Sequence, residues 1–276
     1  MATRYYWGIR LVPKNVRDDV FKLYSFVHYV DDLTLSKRDA PPDLAHFEKL
    51  EHRWRTAKRQ LAQKLVPPAL DESAGEQVLA NMAYLVHRHR FDTAWVDAFL
   101  QSRRWDVQKH HYRALKDLQE YLYGSAEVVG LMLARIVGVP EDFQKAVRVQ
   151  ARALQYMDCL RTIPAADAVG RCYFPLNDIK KFGLKNLSEQ EVRTKPGMFT
   201  DFIHAELLRY AQWQAEAHEV LTHLPRRLRA PLQTVVDTQT KMAQKIKNNP
   251  LVIYDQDLHV SRRSIVFGTV RHGFRR

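Results

Sequence analysis

With 276 residues, 46% of them hydrophobic and 27% charged, the chain is long enough to bury a continuous core and too apolar to be disordered. Its formal net charge of +12 reads equally as a solvated basic surface or as attraction to an anionic lipid surface or a phosphorylated substrate; no recognition motif accompanies the charge, so nucleic acid is not expected as a partner. The two cysteines, Cys159 and Cys172, have neither metal-type spacing nor the count of a disulfide framework. The first ten residues lack a signal-peptide core and no apolar run reaches the length of a membrane span. The expected location is cytoplasmic, and the charge allows peripheral contact with a membrane.

Scarce glycine and little strand-like alternation favour helices. Residues 15–35 read as a helix, because Phe21, Tyr24, Val27, His28, Asp31, Asp32 and Leu35 recur at three- and four-residue steps. Asp39-Ala-Pro-Pro-Asp43 is a loop. Helices follow at 44–65, stopped before Pro67-Pro68, and at 75–91 and 93–103. Residues 115–137 form a long apolar helix ended by Gly138 and Pro140, and 141–162 another ended near Pro164. Residues 165–183 are a loop rich in turn formers, and helices at 199–221 and 231–247 complete the set. There is no internal repeat, and no glycine-rich loop to cradle a nucleotide phosphate.

Four constellations could carry chemistry. Asp31-Asp32 closes the apolar run Leu23-Tyr-Ser-Phe-Val-His-Tyr-Val30, so an inward-packed helix carries Asp31 toward the interior. A carboxylate there must be paired or bind a metal, and Mg²⁺ takes carboxylate oxygens while keeping waters or substrate phosphate. The plainer alternative is a solvated last turn. In the second, Gln155, Asp158 and Thr162 share a helix face, with Arg161 beside them to clamp an anion; an ordinary polar face has the same pattern. The third is Gly170-Arg171-Cys-Tyr173-Phe-Pro175, where a turn can set a guanidinium over an anion with a phenol beside it, or simply expose an arginine. The fourth is Tyr121-Leu-Tyr123-Gly124-Ser-Ala126-Glu-Val-Val-Gly130, whose small residues allow close helix packing or room for a long apolar ligand.

In this order the segments resemble the squalene/phytoene synthase family over residues 5–266. Residues 23–32 look like its first aspartate-rich helix. Residues 121–130 match its Tyr-x-Tyr-x-x-Ala-x-x-Val-Gly segment, and 155–162 fall where its second metal motif belongs. Residues 170–175 match its Gly-Arg-x-Tyr-x-Pro loop, and Asp106 also has a counterpart. The resemblance implies an all-α fold, a single-domain isoprenoid synthase bundle over residues 1–276 around a central apolar cavity. It implies Mg²⁺ held by Asp31, Asp32 and Asp158 with help from Thr162. Diphosphate would be held by Arg161, Arg171 and Tyr173, with His28 in place of the family's usual arginine. Gln155 and Tyr123 would line the cavity near the cation. The substrate would be an allylic prenyl diphosphate.

The chain departs from the family pattern at Leu35, Thr162 and Ala166, where acidic residues belong, and Asp167 is one residue late, about 100° around a helix. Asp158-x-x-x-Thr162 also resembles the start of the second metal motif of class I terpene synthases. Three readings therefore stand: head-to-head prenyl transfer with diphosphate release, single-substrate cyclisation on the same fold, and a binding or assembly protein without catalysis.

Overall fold

The computed structural model describes residues 14–35, 41–109, 111–218, 226–256 and 258. The first ten residues, part of the 39–43 loop and the end of the helix expected at 199–221 lie outside them.

The chain is a succession of helices in which local chemistry sets most of the boundaries. α1 (Lys14–Thr34) turns Val20, Leu23, Phe26, Val27 and Val30 inward. α2 (Leu44–Ala62) starts where Asp43 accepts a bond from the His46 amide at 3.2 Å, and α3 (Ala74–His89) where Ser73 accepts one from Glu76 at 3.4 Å. α3 stops at Arg90, which takes the left-handed conformation at φ 51°. α4 (Thr93–Gln108) is capped by Asp92 and runs five residues further than the sequence suggests. Its apolar stripe of Val96, Phe99 and Leu100 continues into Arg103 and Asp106 on the same buried face.

The long apolar helix expected at 115–137 is three pieces: α5 (Leu115–Leu122), a single π turn (Tyr123–Glu127) and α6 (Val128–Val137), which ends on Gly138 at φ 79°. The π turn packs against α4 and against α7 (Gln144–Arg161), which follows a short 3₁₀ turn at Glu141–Phe143. Wider turns of this kind often accompany function. The loop expected at 165–183 is largely ordered structure, because α8 (Ile163–Asp167), strand β2 (Cys172–Pro175) and α9 (Leu176–Lys181) occupy it. β2 pairs in parallel with a two-residue strand β1 (His111–Tyr112), His111 opposite Cys172, and this brings the Gly-Arg turn beside the end of α4. The chain continues with α10 (Glu189–Thr194), α11 (Pro196–Glu216), α12 (Arg226–Asn248) and α13 (Val252–Asp255).

The apolar interior has two large clusters. One joins α1 to α4 with α6; the other joins α5, α7, β2 and α11. The α5–π–α6 rod contributes to both, and the polar residues described next lie along this seam. Among the described residues, no helix is long and apolar enough to cross a membrane.

Candidate functional site

Asp31 is one helical turn beyond Val27 on the inward side of α1 and is half-buried, whereas Asp32 is exposed. Burial raises the Asp31 carboxyl above its ordinary range, and Arg103 offsets this only in part. The Arg103 side chain is only 7% exposed; its Nη1 lies 3.1 Å from Asp31 Oδ1 and 3.0 Å from Asp106 Oδ2. Burial alone would lower the Arg103 pKa, but Asp106, Tyr121 and Asp31 more than reverse this and hold it well above its ordinary value.

Asp106 is the hub. Its side chain is fully buried and accepts bonds from the Tyr121 hydroxyl at 3.0 Å and from Arg171 Nη1 at 3.1 Å. Arg171 also donates to the Asp106 main-chain carbonyl and, at 3.0 Å, to the Tyr173 hydroxyl. The rings of Tyr112, Tyr121 and Tyr173 close into a triangle with centroids 5.4–6.4 Å apart, an aromatic floor beneath the charges. Burial pushes the Tyr173 phenol up to about 12, with Asp106 adding to the effect, so it remains a hydroxyl donor at any physiological pH.

The second group lies at the end of α7. Asp158 is buried and accepts a 2.6 Å bond from Arg161 Nε. The Thr162 hydroxyl turns back to donate to the Asp158 main-chain carbonyl at 2.6 Å. Ala166 is buried one turn on, where it offers no ligand. Asp167, its neighbour, is exposed and lines a cavity of about 460 Å³ together with His111, Lys185 and the Gly-Arg turn itself, Gly170, Arg171 and Tyr173.

Of the other expected site residues, His28 is half-buried on α1, one turn before Asp31 on the same helix. Gln155 hydrogen-bonds the Cys159 thiol, whose pKa burial pushes up and that bond lowers. Tyr123 lies under the Arg148 guanidinium, 5.1 Å from its ring centre, and Arg148 in turn pairs with the buried Glu127. Asp31, Arg171 and Tyr173 are thus joined through Arg103 and Asp106. Asp158 and Arg161 form a pair of their own, with Thr162 beside them.

Sequence reasoning missed Arg103 as a site residue, although an arginine and an aspartate three apart on a helix face that is otherwise Val, Phe and Leu is a usable signal. It also missed a second buried polar group. Glu206 on α11 accepts bonds from Tyr156 and Arg209, and Arg209 reaches Asp178 at 2.9 Å. Desolvation pushes the Glu206 carboxyl up to about 7, against the pull of Arg209. Between about pH 4.5 and 7 the unfolded chain therefore releases a proton that the native protein keeps, so stability falls as pH rises through this window, by up to roughly 3 kcal/mol. In Glu206→Gln, the melting temperature should drop less between pH 5 and pH 8 than in the wild type. Parallel profiles from a calorimetric pH series would show that Glu206 does not titrate in this way.

The family model for squalene/phytoene synthase matches residues 2–264. The chain belongs to the squalene/phytoene synthase family. Among its relatives, a 15-cis-phytoene synthase from Paracoccus sp. (strain N81106 / MBIC 01143) is 28% identical over 169 residues. That match takes in 60% of this chain and 53% of the relative, about half its length. A presqualene diphosphate synthase from Sinorhizobium fredii (strain NBRC 101917 / NGR234) is 27% identical over 236 residues, 84% of this chain and 79% of that protein. In solved structures, the fold is similar to that of the squalene synthase HpnC from Alicyclobacillus acidocaldarius, with a TM-score of 0.71 at 21% identity over 87% of this chain and 86% of that one. This squalene/phytoene synthase family member thus has the helical fold of those enzymes.

Whether its residues fit Mg²⁺ turns on the donor set. Asp31, Asp32 and Asp158 are hard oxygen donors of the kind the ion takes, and Mg²⁺ is often held by one or two carboxylates plus substrate phosphate. Among the described residues there is no group of three or more His, Cys, Asp or Glu side chains able to hold a metal ion between them. Donors of this kind suit an ion that takes its remaining ligands from a bound diphosphate.

Proposed function

We propose that this chain is an isoprenoid synthase of the squalene/phytoene type, which binds allylic prenyl diphosphates and transfers the prenyl group with release of diphosphate. The observation that carries this reading is the buried meeting of Asp31, Arg103, Asp106, Arg171 and Tyr173, residues from three distant parts of the chain. A guanidinium and a phenol set together give directional donors to diphosphate oxygens. Asp31, Asp32 and Asp158, with Thr162, would hold Mg²⁺, whose chemistry there would be to neutralise charge on the leaving diphosphate. The protein's own part is to orient that group through Arg161, Arg171 and Tyr173 and to keep water from the allylic carbon.

A second reading, ionisation and cyclisation of a single substrate, is favoured by one feature. The second group has one carboxylate and one hydroxyl one turn apart, fewer ligands than two diphosphates call for.

The test is pyrophosphate release by the purified protein with Mg²⁺ and geranyl, farnesyl or geranylgeranyl diphosphate, with mass analysis of the organic phase. A product with twice the substrate's carbons supports coupling. An unchanged carbon count supports the second reading. No release from folded protein with any of the three substrates would overturn both. Asp158→Ala is expected to lower turnover roughly 100-fold, and Thr162→Ala less, because only the carboxylate carries charge. Wild-type turnover in Asp158→Ala would remove Asp158 from the site.

A further inference from the structure

The charges on the seam are matched within the chain. Asp106 faces two guanidiniums, those of Arg103 and Arg171, and one carboxylate neutralises only one of them. The surplus positive charge is taken by Asp31, 3.1 Å from Arg103. Arg103 has little freedom to leave. Its side chain is 7% exposed, its Nη2 lies 3.4 Å from the Tyr121 hydroxyl, and its guanidinium carbon is 5.5 Å from the Phe99 ring centre and 5.7 Å from that of Tyr121. The positive charge that an acidic helix end would otherwise draw from a divalent ion is already present as a covalently tethered, permanently protonated group.

We propose that Arg103 is an internal counter-ion of Asp31 that competes with the divalent cation for this carboxylate. This rests on the reading of Asp31–Asp32 as a metal-binding pair. A cation approaching Asp31 meets a fixed guanidinium in a partly desolvated place, where like charges repel more strongly than in water. The ion alone therefore binds weakly. Diphosphate supplies the missing negative charge, since its oxygens offer Arg103 an alternative partner while completing the cation's shell. Metal and substrate thereby arrive together at the first acidic helix.

Manganese(II) is a paramagnetic probe for such sites, and its free concentration can be read by electron paramagnetic resonance during titration of the substrate-free protein. The wild type is expected to bind it weakly. Arg103→Met should bind it at least tenfold more tightly, because Asp31 is released while Asp106 keeps Arg171 and Tyr121. Arg103→Lys, which keeps the charge, should stay near the wild type, and Asp31→Asn added to Arg103→Met should abolish the gain. Should Arg103→Met fold poorly by circular dichroism, Arg103→Gln, which keeps hydrogen-bonding capacity without charge, decides the matter in its place. Affinity in the neutral variant no tighter than in the wild type would overturn the proposal, as would an equal gain in Arg103→Lys. The titration is independent of turnover: a chain that releases no pyrophosphate can still display the competition, and an active chain can still lack it.

Discussion

Asp106→Ala is expected to destabilise the protein by about 3–5 kcal/mol, the usual consequence of removing one partner from a buried ion pair. The arithmetic is one of orphaned charge. Asp106 is fully buried and compensates both Arg103 and Arg171, and its loss leaves Arg171 with only the Tyr173 hydroxyl and the main-chain carbonyl of residue 106. Arg103 keeps Asp31 but loses the nearer of its two carboxylate counter-charges. Neither guanidinium can lose its proton to escape the low dielectric, as a buried lysine can. At about 2–4 °C per kcal/mol for a chain of this size, the melting temperature should fall by roughly 10 °C. Asp106→Asn keeps an acceptor oxygen without the charge and should fall in between. Thermal melts of the two variants beside the wild type measure both effects. If Asp106→Ala melts within 2 °C of the wild type, the hub is not what holds α4 to the Gly-Arg turn. Diphosphate release should fall in both variants, since Arg171 and Tyr173 are aimed by this carboxylate.

The same hub marks what the sequence could and could not reveal. Each long helix was legible because its apolar residues repeat at three and four, and the Gly-Arg-x-Tyr turn was legible because residues two apart on an extended segment face the same side, which lets Arg171 reach the Tyr173 hydroxyl at 3.0 Å. Arg103 was not, because a local pattern treats a charged residue at the end of an apolar stripe as the end of a helix. Asp106, three residues on, supplies one counter-charge within the same window, but the other is Asp31, 72 residues away, and no window along the chain contains that pair. Tyr156 and Glu206, fifty residues apart, escaped for the same reason. The loop expected at 165–183 failed differently. Its turn residues are real, with Gly170 and Gly183 both at positive φ, but a strand and one short helix fit between them and another short helix precedes Gly170, the strand being held by pairing with His111 and Tyr112 outside the segment.

The small residues of the Tyr121–Gly130 segment allow either close helix packing or room for a long apolar ligand, and at Gly124 the structure shows close packing, with the largest expected effect among them. A β-carbon built there lies 2.3 Å from the Ala98 carbonyl oxygen and 2.8 Å from Ser102 Cβ, both on α4. Carbon and oxygen do not ordinarily approach closer than about 3.3 Å. The nearest obstacle is backbone, which cannot rotate out of the way, so α4 and the π turn must separate by about 1 Å. Alanine's better helix propensity offers about 1 kcal/mol in return, less than the overpacking penalty of about 3 kcal/mol or more expected for so rigid a contact. Gly124→Ala should therefore be destabilised by at least about 2 kcal/mol, seen as a lower urea midpoint with an unchanged slope. Gly197→Ala is the control, since a β-carbon there meets nothing within 4 Å inside α11, and it should be neutral or stabilising by up to about 1 kcal/mol. The Gly124 penalty also has a direction. Pushing α4 away from the π turn carries Arg103 and Asp106 away from the Tyr121 hydroxyl, so turnover should fall further than stability alone explains, even at a temperature where the variant is fully folded. A Gly124→Ala protein with wild-type turnover and a wild-type midpoint would mean that α4 and the π turn do not approach as closely as this, and the aromatic floor beneath Asp106 would then need another means of alignment.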